Sequence, residues 1–179
     1  RGLGDVYKRQ FYVLYANIDE FDPTKYTLEY DKLSVMDKWL LSKLNSMVKS
    51  VDDNLGNYRI PEATKALAEF VDDMSNWYVR RCRERYWAKD MPQDKINAYM
   101  TLYTALVTLC KAAAPMIPFL TEDIYQNLVR TVDKNAPESI HLCDFPEVNE
   151  SMIDPELEAS MDEVLTVSYT HLTLPTNSL

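Results

Sequence analysis

Four arginines and four aromatic residues fall within twelve positions, Asn76-Trp77-Tyr78-Val79-Arg80-Arg81-Cys82-Arg83-Glu84-Arg85-Tyr86-Trp87. A guanidinium is always charged and presents a planar fork that suits phosphate, and an aromatic face can stack on a base or ribose. The chain around this stretch is acidic, with a formal net charge of -9. A local basic and aromatic surface on such a chain points to a nucleic-acid backbone. The structural alternative is that the aromatics fill a core and the arginines line a solvated face.

Helical geometry divides the arginines. At roughly 100° per residue, Ala63, Ala66, Leu67, Phe70, Met74, Trp77 and Tyr78 share one apolar face, and Arg81 and Arg85 continue it. A charge cannot be buried there without a partner. Either Arg81 and Arg85 pair with acids on a neighbouring helix, or the helix leaves the core there and meets an anion. Arg80 and Arg83 project elsewhere and are expected at the surface. With Trp87 and Lys89 they complete the candidate nucleic-acid contacts Arg80, Arg81, Arg83, Arg85, Trp87 and Lys89.

The elements that must position these residues are helices. Phe11 to Phe21 is apolar and aromatic and reads as the end of a helix, broken by Asp22-Pro23-Thr24. A charged linker follows to Lys32. Ser34 and Asp37 form an S-x-x-D capping box. Met36, Trp39, Leu40, Leu44, Met47, Val48, Val51 and Leu55 then repeat at helical spacing until Gly56-Asn57. Pro61 suits the first turn of a helix running to about Lys89. Asp94 to Ala114 is a third helix, Pro115 and Pro118 break it, and a fourth runs from about Thr121 to Val132. Residues 139–146 alternate and are expected to be extended. Asp154 and Pro155 start a last acidic helix as cap and first residue. The expected fold is an all-α antiparallel helix bundle of four or five helices with that one short extended segment.

Composition excludes several classes. The 179 residues suit one domain, and 46% hydrophobic content allows a real core. Three glycines, with no G-x-G-x-x-G and no G-x-x-x-x-G-K-[ST], leave no familiar phosphate cradle. Cys82, Cys110 and Cys143 are odd in number and far apart, with only His141 and His171 to join them, so neither a zinc site nor a disulfide framework is expected. Reduced thiols and a cytoplasmic location are the default. No apolar run approaches the length of a membrane span. Residues 1–10 and 166–179 share no pattern with their neighbours and resemble translated adapter or vector read-through, so they are set aside as foreign ends.

No catalytic constellation is expected. Asp72-Asp73 and Glu122-Asp123 are sequence neighbours, which on a helix do not face each other. They read as a solvated face or as partners for the arginines. His141 reads as a packed, hydrogen-bonded histidine. Tyr12, Tyr15, Tyr99, Tyr103 and Tyr125 follow helical spacing and read as core.

YANIDEFDP (15–23), LSVMDKWLLSKLNSMV (33–48), EFVDDMSNWYVRRCRERYW (69–87), LYTALVTLCKAAAPMIPFLTEDIYQNL (102–128) and SIHLCDFPE (139–147) appear in that order. Together, over about residues 11 to 165, they resemble the isoleucyl-tRNA synthetases, a family of class I aminoacyl-tRNA synthetases. The resemblance implies a truncated helical anticodon-binding domain at 33–165, preceded at 11–32 by the end of the previous region and a linker. It implies isoleucine tRNA as partner, along with a catalytic domain of the same chain that is missing here. It also implies that the intact enzyme activates isoleucine with ATP and magnesium. The HIGH-like and KMSKS-like motifs of that chemistry are not in this sequence, so no cofactor is expected in the fragment. Glu20 stands where the family commonly has a small residue, often glycine.

The competing reading is a helical scaffold whose arginine helix contacts protein rather than RNA. The chain as given is expected to show no isoleucine-dependent pyrophosphate exchange with ATP; robust exchange by a preparation free of host enzyme refutes this.

Overall fold

The computed structural model describes the backbone of residues 3–173 and the side chains of residues 11–167. Seven α-helices run along the described residues: α1 (Leu3–Ile18), α2 (Val35–Gly56), α3 (Ile60–Asp72), α4 (Arg80–Tyr86), α5 (Gln93–Ala113), α6 (Pro118–Tyr125) and α7 (Pro155–Thr173). A π-helical segment, Asp73–Val79, joins α3 to α4 without a break, and a second one, Gln126–Arg130, extends α6. Among the described residues there is no strand. The boundaries expected at residues 10 and 166 fall inside α1 and α7. Residues 1, 2 and 174–179 lie outside the described backbone.

Local chemistry sets the helix ends. Ser34 caps α2 as expected: its Oγ accepts from the Asp37 amide at 3.3 Å, while Asp37 Oδ2 accepts from the Ser34 amide at 3.2 Å. Asp154 Oδ1 accepts from the Leu157 amide at 3.0 Å and starts α7. At the end of α1, the Phe21 amide donates to Ala16 O and the Glu20 amide to Asn17 O. This is a Schellman cap, with Glu20 in the left-handed position at φ 50°. That conformation explains why glycine suits the site. At the end of α2 the left-handed residue is Tyr58, at φ 58°, rather than Gly56 or Asn57, because the helix runs through Gly56 before it turns.

The core lies where α2, α3–α4 and α5 meet. Trp39, Leu40, Leu44, Val48 and Val51 from α2 pack with Phe70, Met74, Tyr78, Cys82 and Tyr86, and with Ala98, Tyr99, Leu102 and Ala105 from α5; all are buried. α1 lays Tyr12 against Tyr99 and Tyr103. Lys95 is only 2% exposed; its Nζ donates to Asp19 Oδ1 at 2.9 Å and to Ala88 O at 3.0 Å. Tyr99 donates its hydroxyl to the same carboxylate. This buried, paired charge fastens the end of α1 to the start of α5. α7 docks on α2, where Glu158 accepts from Ser42 and Ser46. Lys43 Nζ sits 3.4 Å from Asp73 and 3.3 Å from Asp162.

Two expectations are corrected here. Residues 139–146 are extended only in part: Ile140–Leu142 is a single 3-10 turn, with Ser139 before it and Cys143 after it extended. Ile140 is buried, and Glu122 Oε2 accepts from its amide at 2.9 Å. One turn anchored by one apolar residue mimics alternation over so short a span. His141 is exposed rather than packed.

Replacing Glu20 by glycine removes a left-handed conformation that disfavours any side chain, so Glu20→Gly is expected to stabilise the fold by about 1 kcal/mol. The measurement is a thermal melt, with a rise of roughly 2–4 °C; an unchanged or lowered midpoint contradicts it.

Candidate nucleic-acid interface

The π segment decides which arginine faces where. Its i→i+5 hydrogen bonds place an extra residue in the turn, so Trp77, Tyr78 and Val79 are buried in succession. The inward face then passes through Tyr78, Cys82 and Tyr86, all buried. An unbroken α-helix would have brought it to Arg81 and Arg85. Arg81 therefore does not enter the core. It is exposed, with its guanidinium over the Trp77 ring, 4.2 Å from the centroid.

Arg85 still reaches inward, to Asp37, which is 0% exposed. Nη1 donates to Asp37 Oδ1 and Nη2 to Asp37 Oδ2, each at 2.8 Å. Nε donates to Asp94 Oδ2 and Nη2 to Asp94 Oδ1, also at 2.8 Å. Nη1 further approaches Cys82 Sγ at 3.7 Å. All five N–H donors of the guanidinium are engaged within the protein. Asp37 also accepts from the Tyr78 hydroxyl at 2.5 Å and from Ser34 Oγ at 2.8 Å. Burial works to raise the Asp37 carboxyl, but the hydrogen bonds and charge of Arg85, with those of Tyr78 and Ser34, outweigh it and hold the group below the usual carboxylate range. Of the two roles open to Arg85, the geometry supports the internal ion pair.

The remaining candidates lie outside. Arg80, Arg83 and Trp87 follow one another at i, i+3 and i+7, which places them on one side of the helix. Arg80 and Lys89 are exposed and Arg83 is half-buried, with its Nε buried and without a hydrogen-bond partner. Among the described residues none of the three cations enters an ion pair. Trp87 caps α4 and is 58% exposed, and its Nε1 donates to the Tyr15 hydroxyl at 2.8 Å. The ring is thus pinned to α1 while much of it stays open. Lys89 follows in the turn that Asp90, at φ 62°, reverses toward α5. Glu84, next to Arg83, and Asp90, next to Lys89, are the acids nearest this set in sequence, and both are exposed. The arrangement offers phosphate oxygens unclaimed cations beside a fixed aromatic ring.

The acids flagged in the sequence serve other partners. Asp73 pairs with Lys43, and Asp72 accepts from Asn76 Nδ2 at 2.6 Å. Glu122 accepts from Gln126, Ser139 and the Ile140 amide. The acids that do hold an arginine, Asp37 and Asp94, were not singled out for it in the sequence. The only signal was the capping box, which marks Asp37 as an acceptor and says nothing of its burial.

Comparison with known proteins places the chain. Residues 37–171 match the family described as the anticodon-binding domain of tRNA ligase. Isoleucine–tRNA ligase of Clostridium tetani is 53% identical over 165 residues, covering 92% of this chain and 16% of that protein. The Clostridium novyi enzyme is 54% identical over 160 residues, covering 89% and 15%. The Methanosarcina barkeri enzyme is 43% identical over 161 residues, covering 88% and 15%. The chain therefore spans 16% or less of the length of these curated relatives.

Because its folded-state value is depressed, Asp37 contributes stability that is present above the unfolded carboxylate value and lost as pH falls through the lower folded one. Asp37→Asn is expected to cost about 3–5 kcal/mol at neutral pH by stranding Arg85. In urea titrations that difference from the parent chain should shrink below about pH 4. A pH-independent difference contradicts the assignment.

Proposed function

We propose, since this chain belongs to the anticodon-binding domain family of tRNA ligases, that it holds an isoleucine tRNA for a longer isoleucine–tRNA ligase. In this reading Arg80, Arg83 and Lys89 contact the phosphate backbone, and Trp87 offers a face to ribose or base. Arg81, extended over Trp77, adds a further exposed cation. Arg85 supports them indirectly by fixing α4 against α2 and α5. The observation that carries the reading is three cations, Arg80, Arg83 and Lys89, in no ion pair among the described residues, beside an anchored tryptophan, on a chain of net charge -9. A protein with that overall charge repels polyanions generally, so its RNA contact must be local and salt-sensitive.

Activation of isoleucine with ATP and magnesium, and its transfer to tRNA, belong in this reading to the parts of such ligases outside this chain. The whole works in the cytoplasm. Among the described residues no helix is long and apolar enough to cross a membrane. A second reading has one observation in its favour: Leu14 and Ile18 stand exposed on α1, as a surface for the catalytic part of the same ligase would. That would make the bundle a scaffold, with no direct RNA contact.

Charge reversal separates the two readings. Replacing Arg80, Arg83 and Lys89 by glutamate is expected to weaken binding of an isoleucine tRNA transcript. Each lost phosphate contact should lower the slope of log affinity against log salt by roughly 0.7–0.9. Isoleucine activation by a full-length ligase carrying the same substitutions should survive. Unchanged affinity and slope would favour the scaffold.

A further inference from the structure

A cleft of about 310 Å³ opens where the C-terminal half of α5 meets the loop that follows α6. That volume lies at the lower end for small-ligand sites, about 300–1,000 Å³. α5 gives Val107 and Lys111 to one wall, the Gln126–Arg130 segment gives Val129, and the loop gives Leu142, Cys143 and Asp144. The arginine helix is elsewhere. Lys111 stands in the last turn of α5, roughly 25 Å along that helix from Asp94, which Arg85 holds.

The loop is fastened, so the gap is built rather than slack. Tyr125, itself buried, donates its hydroxyl to Pro137 O at 3.0 Å, and Cys143 Sγ lies 3.6 Å from the same hydroxyl. Arg130 Nη1 donates to Ala136 O at 2.7 Å. Glu122 holds Ser139 and the Ile140 amide.

The charges at the cleft are unanswered. Lys111 is half-buried and enters no ion pair or hydrogen bond among the described residues. Every other lysine among them that is half-buried or deeper has a partner. Lys38 lies over the Tyr30 ring, Lys43 sits between Asp73 and Asp162, and Lys95 is held by Asp19. The helix dipole favours a cation in the last turn of α5 but gives its three N–H donors no acceptor. An ammonium drawn partly out of water without a counter-charge is unfavourable, so an anion fits beside it. Asp144 brings the opposite charge to the same cleft; it is exposed and does not pair with Lys111. An apolar molecule would answer neither charge, and a simple anion would meet repulsion from Asp144. A small zwitterion with an apolar body answers both charges and fills the aliphatic walls.

We propose that this cleft binds a free α-amino acid with an apolar side chain. Its carboxylate sits on Lys111, its ammonium on Asp144, and its side chain against Val107, Val129 and Leu142. No residue of the arginine helix lines the cleft, so this binding is independent of the tRNA reading.

The test is calorimetric titration of the chain with L-leucine and L-phenylalanine, with the place of binding read at Cys143. Cys82 and Cys110 are buried while Cys143 is half-buried, so the rate at which iodoacetamide alkylates Cys143, followed by mass spectrometry, reports whether the cleft is filled. Saturable binding with Kd below about 10 mM is expected, with alkylation of Cys143 slowed in step. L-Leucine methyl ester, which lacks the carboxylate, should bind about tenfold more weakly. N-Acetyl-L-leucine, which lacks the ammonium, should bind about two- to fivefold more weakly, because a pair with exposed Asp144 is screened by water. Lys111→Met and Asp144→Asn should reproduce those two losses, each making the chain indifferent to the matching change in the ligand. The ligand analogues are measured on the parent chain, so the outcome does not hang on the folding of a variant. No saturable binding of either amino acid, binding that leaves Cys143 alkylation unchanged, or equal protection by L-serine overturns the proposal. Undiminished binding of both the methyl ester and the N-acetyl compound overturns it as well.

Discussion

One buried carboxylate organises the working end of this bundle. Asp37 is the N3 residue of the α2 capping box, and it also accepts two hydrogen bonds from Arg85 and one from Tyr78. Through Arg85 it reaches Asp94 at the start of α5. Four segments, α2, the π segment, α4 and α5, are thus held by one chain of charge-assisted hydrogen bonds. A buried ion pair is not stabilising merely by existing, because desolvation of both charges opposes the attraction. Here every donor of Arg85 is engaged and Asp37 accepts five hydrogen bonds, which is the condition under which such a pair holds. Loss of either partner would strand the other, so the geometry of the arginine helix depends on it.

The π segment and this ion pair act together. The extra residue in the Asp73–Val79 turn moves the inward face onto Cys82 and Tyr86. That leaves Arg81 outside on the Trp77 ring, while Arg85 stays close enough to meet Asp37. π turns carry poorer geometry than α turns and tend to persist where they re-aim side chains. In this helix the consequence is a division of labour among four arginines: Arg85 fastens the fold, Arg81 lies over Trp77, and Arg80 and Arg83 share the side of the helix that Trp87 continues. Lys95, buried with Asp19 and Tyr99, fastens α1 to α5 in the same way and so fixes the platform on which Tyr15 pins Trp87.

The proposed RNA contact requires an acidic chain to concentrate its attraction. Several basic side chains here are neutralised locally: Lys43 sits between Asp73 and Asp162, Lys95 is held by Asp19, and Lys32 and Lys25 pair with Glu29 and Asp22. Arg80, Arg83 and Lys89, in no ion pair among the described residues, stand out against a repulsive background. Under that proposal, specific geometry rather than net charge governs which polyanion is accepted, and at which edge of the bundle.

Much of the scaffold was legible in the sequence because its determinants are local. The α2 span, its Ser34–Asp37 box, the start of α7 at Pro155 and the α5 span each follow from residues within a turn or two of one another. The basic, aromatic character of Arg80 to Trp87, and the absence of a glycine-rich phosphate cradle, were equally plain. Partner choice was not. Arg85 and Asp37 are 48 residues apart, and no periodicity says which acid a helix will present to which arginine. The π turn was hidden because continuing an ideal helical period assumes that each turn holds the same number of residues. The 3-10 turn at Ile140–Leu142 passed for extended chain because three residues are too few for either period to declare itself. The cleft beside Lys111 was likewise set by where α5 and the loop after α6 meet. Local hydrogen bonding and amphipathic spacing determine elements; burial, charge pairing and the faces left open are decided only when those elements pack.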